Sequence, residues 1–347
     1  MTETVGTTLR RIAASADPMP CRALASLVAL RSAVPFDAAW LASADPRNSS
    51  YVTLASLDLD EDIDGFFSGP AMTHDLAVAG SDGDHLAVSR SDPSSPSSDH
   101  PPAWSAWLAP AGMHGSLSVA LVSRGGRLVG FLILLSKSKL PSSRATRHRL
   151  AALAPALALA IDPMPSLLAI ARVVRGVTAA TVLRADGLTE ALPGLDGDLL
   201  LAAGSPVKVI ACRRLSDGLP YSSFLWPLSG VLTPDGYARI TVVAAPEDVP
   251  PALIGMALVS PAPDLHGLTP RELEVLGLVI DGCSNQEIAG TLVVAPRTVA
   301  AHIEHLFIKL DVSTRTAAAV RAEREGLYVP AVAGSADDEP SCGEREN

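Results

Sequence analysis

Thr269 and Ser284 each stand three residues ahead of a glutamate, Glu272 and Glu287, and an apolar run follows each pair. A hydroxyl and a carboxylate at that spacing do hydrogen-bonding work rather than catalysis, because each satisfies a backbone amide that the start of a helix leaves unpaired. Pro270 and Pro296 sit where a first helical residue would, with their backbone angle already set. Beyond Pro296, the positions Arg297, Thr298, Ala300, Ala301, Glu304, His305 and Ile308 mix hydrogen-bonding groups with apolar ones, a surface suited to contacting base edges. Other chemistries lack their residues. A G-x-S-x-G elbow and a GxxxxGK phosphate loop are both missing from the chain, as are the acidic pair, acceptor aspartate and later lysine of a phosphorylated receiver. The four cysteines, at 21, 212, 283 and 342, are too scattered for a zinc site or a disulfide framework. His74, His85, His100 and His114, with Asp75, Asp82 and Asp84 nearby, match no metal-ligand spacing. No catalytic residue, cofactor or metal is expected.

The elements that position these residues are short helices. Leu273, Leu276, Val279 and Ile280 recur at helical spacing, and Gly282 supplies the left-handed residue that ends the run. A second short helix carries Ile288, Ala289 and Leu292. After a turn through Val293, Val294 and Ala295, a third helix over about 296–310 turns Val299, Ile303, Leu306 and Leu310 inward. A fourth runs from about Thr314 to Glu325, with Gly326 ending it. Turns this short leave room only for a helix-turn-helix.

LTPRE, the SNQEIA box, PRTV, His302, KL and TRT stand at separations that resemble the LuxR-type, or GerE-like, helix-turn-helix family across about 60 residues. The resemblance implies that the 296–310 helix enters the major groove, that the preceding helix braces the backbone, and that the last helix pairs two domains on a palindrome. It places Ala300, Ala301 and Glu304 against the bases, and the expected DNA-binding set is Arg297, Thr298, Ala300, Ala301, Glu304, His305, Lys309 and Arg315. Three positions depart from the family's pattern. Ala295 stands where serine is common, and Ala300 and Glu304 stand where lysine or arginine is. Residues 265–330 hold six Lys and Arg against eight Asp and Glu, a net of −2, whereas phosphate contact draws on positive charge. Weak binding by one domain, strengthened by dimerisation, is the expectation.

About 265 residues precede this segment, enough for two further domains. AAWLAS and YVTLASLDL read as one antiparallel hairpin, and SLSVALVS and RLVGFLILLS as another around Gly125 and Gly126. A helix through Leu24, Leu27, Val28 and Leu30 precedes them. A long alanine-rich helix to Ile161, with Pro155 as a potential kink, follows. Helix, two strands, an irregular middle, two strands and a closing helix resemble a GAF sensory domain. In that family the middle segment, here about 66–108, covers a sheet face and forms a small-molecule pocket. Trp40, Phe66, Phe67, Met72, Trp104 and Trp107 are the candidate lining residues.

Residues 163–261 combine a helix from Pro165 to Arg175, a strand near Ala179, a helix over about 207–215 and three strands in a meander, an arrangement similar to a PAS-like sensor. The fold class is thus α+β multidomain. Its parts are a GAF-like α/β sensor over 1–162, a small PAS-like α+β middle domain over 163–261, an all-α four-helix LuxR-type helix-turn-helix over 262–330, and a disordered tail over 331–347. Arg outnumbers Lys by 23 to 4, which with the abundant alanine suggests a GC-rich bacterial genome. The net charge is −10 and the longest apolar run, Leu150 to Ile161, has twelve residues, so a cytoplasmic protein without membrane attachment is expected. The function expected is transcriptional regulation, as a homodimer on double-stranded DNA, controlled by the N-terminal sensor domains, whose signal the sequence does not name and for which a small-molecule ligand is one candidate. The alternative is a ligand-sensing or protein-interaction molecule whose helix-turn-helix has lost its DNA affinity.

Overall fold

The structure, a computed structural model, describes residues 2–45, 50–60, 63, 67, 89–91, 108, 110–138, 143–202, 204–228, 236–246, 249–250 and 252–330. The chain divides into two compact units at Pro163/Met164. In the first, α1 (Thr2–Ala13) and α2 (Met19–Arg31) precede β1 (Ala38–Asp45) and β2 (Ser50–Leu57). After these come β3 (Ser89–Ser91), β4 (Gly115–Val122), β5 (Leu128–Ser136) and α3 (Arg144–Ile161). The sheet is antiparallel in the order β2-β1-β5-β4-β3. Both expected hairpins are present, and the element order is that of the GAF-like reading. Only Gly126 of the Gly125–Gly126 pair takes a positive φ, 81°, so a single left-handed residue closes the β4–β5 turn. The helix α3 passes through Pro155 without a break.

Alternation along the strands splits the core between the two sheet faces, since successive side chains point to opposite sides. Ala39, Leu41, Leu117, Val119, Leu121, Leu132 and Leu134 meet Leu9, Leu27, Leu30, Leu150, Leu153 and Leu157 of the three helices. The helix α2 starts further upstream than its leucines suggest. Its buried stripe is Met19, Ala23, Ser26, Leu27 and Leu30, while Leu24 and Val28 are exposed. On the other face, Trp40, Phe131, Ile133 and Leu135 pack with Ile63, Phe67, Leu108 and Met113.

The second unit opens with α4 (Met164–Val173), β6 (Ala179–Arg184) and β7 (Thr189–Ala191). Next are α5 (Pro206–Ser216), β8 (Tyr221–Pro227), β9 (Tyr237–Ala244) and β10 (Leu253–Pro261). The sheet order, β7-β6-β10-β9-β8, repeats the arrangement of the first sheet, and β8, β9 and β10 form the expected meander. The expected helices then follow as α6 (Pro270–Ile280), α7 (Asn285–Leu292), α8 (Pro296–Lys309) and α9 (Arg315–Glu325).

The boundary expected at 261/262 does not separate two packed bodies. One hydrophobic cluster runs from Phe224, Leu225, Ile240 and Val259 of the sheet into Leu273, Leu276, Leu306 and Tyr328 of the helical part. The segment 327–330, which follows α9, lies between the two. The amide of Leu225 on edge strand β8 donates to the Tyr328 carbonyl at 2.8 Å, and the Val329 amide donates to the Leu273 carbonyl at 3.4 Å. Arg239 of β9 donates to the Glu325 carbonyl at 2.6 Å. The Tyr328 ring, 1 % exposed, lies 6.0 Å from the Arg214 guanidinium, and burial pushes its phenol up. Gly326, at φ 64°, approaches the sheet so closely that a Cβ there would sit 2.6 Å from Ser223 Oγ. The residues just ahead of α6 are tied down as well, with Lys309 donating to the Gly267 carbonyl at 2.8 Å and His266 3.2 Å from Glu325.

Candidate nucleic-acid interface

Both helix starts form as their spacing requires. Thr269 Oγ1 accepts from the Glu272 amide at 3.3 Å while Glu272 Oε2 accepts from the Thr269 amide at 2.7 Å. Ser284 and Glu287 repeat the exchange at 3.3 and 2.6 Å. Gly282, φ 83°, follows the end of α6, and Gly326 ends α9. The turn between α7 and α8 is less comfortable. Val293 caps α7 at φ 53°, a left-handed conformation that costs a residue with a Cβ about 1–2 kcal/mol, and its side chain is 89 % exposed. Ala295, at the N-cap of α8, has no side chain to accept an amide.

The recognition helix α8 buries Val299, Ile303 and Leu306 against the other helices, with Leu310 just beyond its end also buried. Arg297, Thr298, Ala301, Glu304, His305 and Ile308 are exposed, as expected, whereas Ala300 is half-buried on the flank. Arg297, Ala301, Glu304 and Ile308 follow one another at spacings of three and four, so they form one line along the middle of the exposed face. Ile308, 78 % exposed, lies on the expected outer surface but is the member of this line outside the expected DNA-binding set.

Lys309 and Arg315, expected to face DNA, spend their charge inside the protein. Glu272 is 2 % exposed, and Lys309 donates to its Oε2 at 2.7 Å, so one carboxylate joins the start of α6 to the end of the recognition helix. Burial pulls this carboxyl upward. The Lys309 hydrogen bond, the Thr269 amide and hydroxyl, and the Lys309 charge outweigh that and hold it below the usual carboxylate range. Arginines tie these helices together, two of them at helix ends whose last carbonyls have no partner within the helix and the third at the turn between α6 and α7. Arg271 donates to the Leu292 carbonyl at 2.5 Å, Arg315 to the Cys283 carbonyl and Arg321 to that of Leu310. These roles are visible in the sequence only as charge, since each partner lies 11 to 32 residues away along the chain. Arg297, at the entrance of α8, has no such partner among the described residues.

The expected ligand face holds a set of stacked aromatics. Trp40 and Phe67 stack with centroids 5.1 Å apart, Tyr51 meets Trp40 and Phe131 edge-on, and Trp40 Nε1 donates to Thr53 Oγ1 at 2.9 Å. Trp40 and Phe67 are 0 and 1 % exposed, so both act as core. Phe66, Met72, Trp104 and Trp107 lie outside the described residues, as do His74, His85, His100 and the tail 331–347. Among the described residues no group of three or more potential metal ligands gathers, and no single helix is long and apolar enough to cross a membrane.

Four short helices, three of them with a side-chain N-cap, and an exposed face on the third define a helix-turn-helix domain. The profile described as "Bacterial regulatory proteins, luxR family" matches residues 266–322, so this part of the chain is a LuxR-type helix-turn-helix. Transcriptional regulatory protein LiaR of Bacillus subtilis (strain 168) is 50% identical over 62 residues, which are 18% of this chain and 29% of that protein. The chain thus spans under a third of the length of the curated relatives it matches. Among solved structures, the GAF domain of a phosphoenolpyruvate-protein phosphotransferase from Coxiella burnetii shares 20% identity at a TM-score of 0.33, covering 50% of this chain and 95% of that one. SdiA of Escherichia coli shares 14% identity at a TM-score of 0.32, covering 94% of this chain and 98% of its own.

Proposed function

We propose that the whole chain is a transcriptional regulator that binds double-stranded DNA as a homodimer, with α8 in the major groove and the two sheet domains governing that binding. The observation that carries this reading is the exposed line Arg297, Ala301, Glu304 and Ile308 on the recognition helix of a LuxR-type domain. Arg297 supplies a cation for phosphate, and Thr298 a hydroxyl beside it. The first sheet domain is the proposed place for a small-molecule signal, which acts only by binding two arrangements of the protein unequally. Because 327–330 joins α6 to the edge strand β8, a shift of that strand reaches the DNA-binding helices directly. Replacing Arg297 and Thr298 by alanine should weaken duplex binding by roughly tenfold or more with little change in thermal stability, since both side chains are exposed. Binding that stays at the wild-type level would contradict the assignment of this face.

A second reading is favoured by the internal use of Lys309 and Arg315. With those cations committed, the domain could serve dimerisation alone. That reading expects a stable dimer whose interaction with duplex does not respond to salt, whereas the regulator loses affinity as salt rises.

A further inference from the structure

We infer that the recognition helix reads pyrimidines, with Glu304 accepting from a cytosine amino group and Ala301 and Ile308 packing on thymine methyls. This rests on the proposed duplex binding and specifies what that binding selects. In the major groove guanine shows two acceptors, adenine an acceptor and a donor, thymine an acceptor and a methyl, and cytosine a donor. A protein face reads guanine with arginine or lysine and adenine with asparagine or glutamine. Neither kind of residue occurs between Arg297 and Lys309, and the Lys309 ammonium is held by Glu272 at 2.7 Å. The middle of the exposed line therefore offers one acceptor and apolar surface.

Glu304 is exposed and has no ion-pair or hydrogen-bond partner among the described residues. Its helical neighbours on that face, Ala300, Ala301 and Ile308, carry no charge, and the adjacent His305 has its Nδ1 3.9 Å from Glu272. An unneutralised carboxylate entering a groove lined by phosphates is repelled by most sequences and is compensated only where a base amino group meets it. It therefore raises selectivity by weakening the wrong complexes. Removing it should strengthen binding to arbitrary DNA while flattening the preference at one position, a pair of changes that a structural role would not produce.

The test is selection of randomised duplexes by the full-length protein, in parallel with Glu304→Ala and Glu304→Gln. The wild type should favour cytosine at one position of each half-site by roughly fivefold to a hundredfold. Glu304→Ala should lose that preference and bind unrelated duplex more tightly, and Glu304→Gln should move the preference toward adenine. Replacing thymine by deoxyuridine in the selected site should cost about fourfold per methyl contacted, and Ile308→Ala should abolish part of that sensitivity. An unchanged cytosine preference in both Glu304 variants, or indifference to the thymine methyls, overturns the inference while leaving duplex binding intact. No enriched sequence for the wild type overturns the regulator reading and this one with it.

Discussion

Glu272 shows how one residue type can be recognised in the sequence and still have half of its work hidden. Its spacing from Thr269 announces the cap, but the Lys309 contact depends on two helices meeting and has no local signal. Because the folded carboxyl is held below its usual range, it binds a proton less readily than in the unfolded chain. The stability it adds is present above the ordinary glutamate range, about 4.3, and is lost as pH falls through the lower folded value. Glu272→Gln should cost about 1–2 kcal/mol at neutral pH and flatten the acid limb of a stability-versus-pH curve. An unaltered acid limb would show that the Lys309 pair does not control it. At the turn, Ala295→Ser restores a capping hydroxyl and should add about 0.5–2 kcal/mol. Val293→Gly should add about 1 kcal/mol by removing a Cβ from the left-handed region. Chemical denaturation of each variant checks both, and a loss of stability at either position would contradict the turn geometry.

Individual elements were legible where their signals are local. The capping boxes, Pro296, Gly282 and Gly326 mark the four C-terminal helices almost to the residue, and short apolar runs bounded by turn residues mark β1, β4, β5 and the meander. Elements with little apolar content escaped: α1 is rich in threonine, and β3, reading Ser-Arg-Ser, has no apolar residue to alternate. The docking of α9 on β8 was invisible because its signals are a glycine already explained as a helix end and a tyrosine far along the chain from its partners. Gly326→Ala tests that docking. A Cβ there meets Ser223 Oγ at 2.6 Å and Ser223 Cβ at 3.0 Å in a left-handed backbone, so a loss of about 2–4 kcal/mol and faster amide exchange at Leu225 are expected. Ser223→Gly, which removes both of those atoms, should recover part of the loss in the double variant. Strict additivity would mean that the two residues do not meet.

At the scale of the whole molecule, two sheets of identical strand order precede the helices, and the second sheet shares its core with them. The helices of α6 to α9 are thus an extension of β8, and the second unit should unfold in a single transition. Most arginines of the helical part hold neighbouring helices and turns together, while Arg297 has no partner among the described residues. On the proposed dimeric regulator reading, affinity for DNA depends on pairing two copies rather than on charge, and the salt dependence should be shallow, with a slope of about −2 to −4. The most direct measurement is capture of fragmented DNA from the protein's own source by the full-length chain, at low and moderate salt. Recurrent enrichment of one palindromic site, lost with Arg297→Ala, is the expected result. A folded protein that enriches no fragment at either salt concentration would contradict the regulator reading.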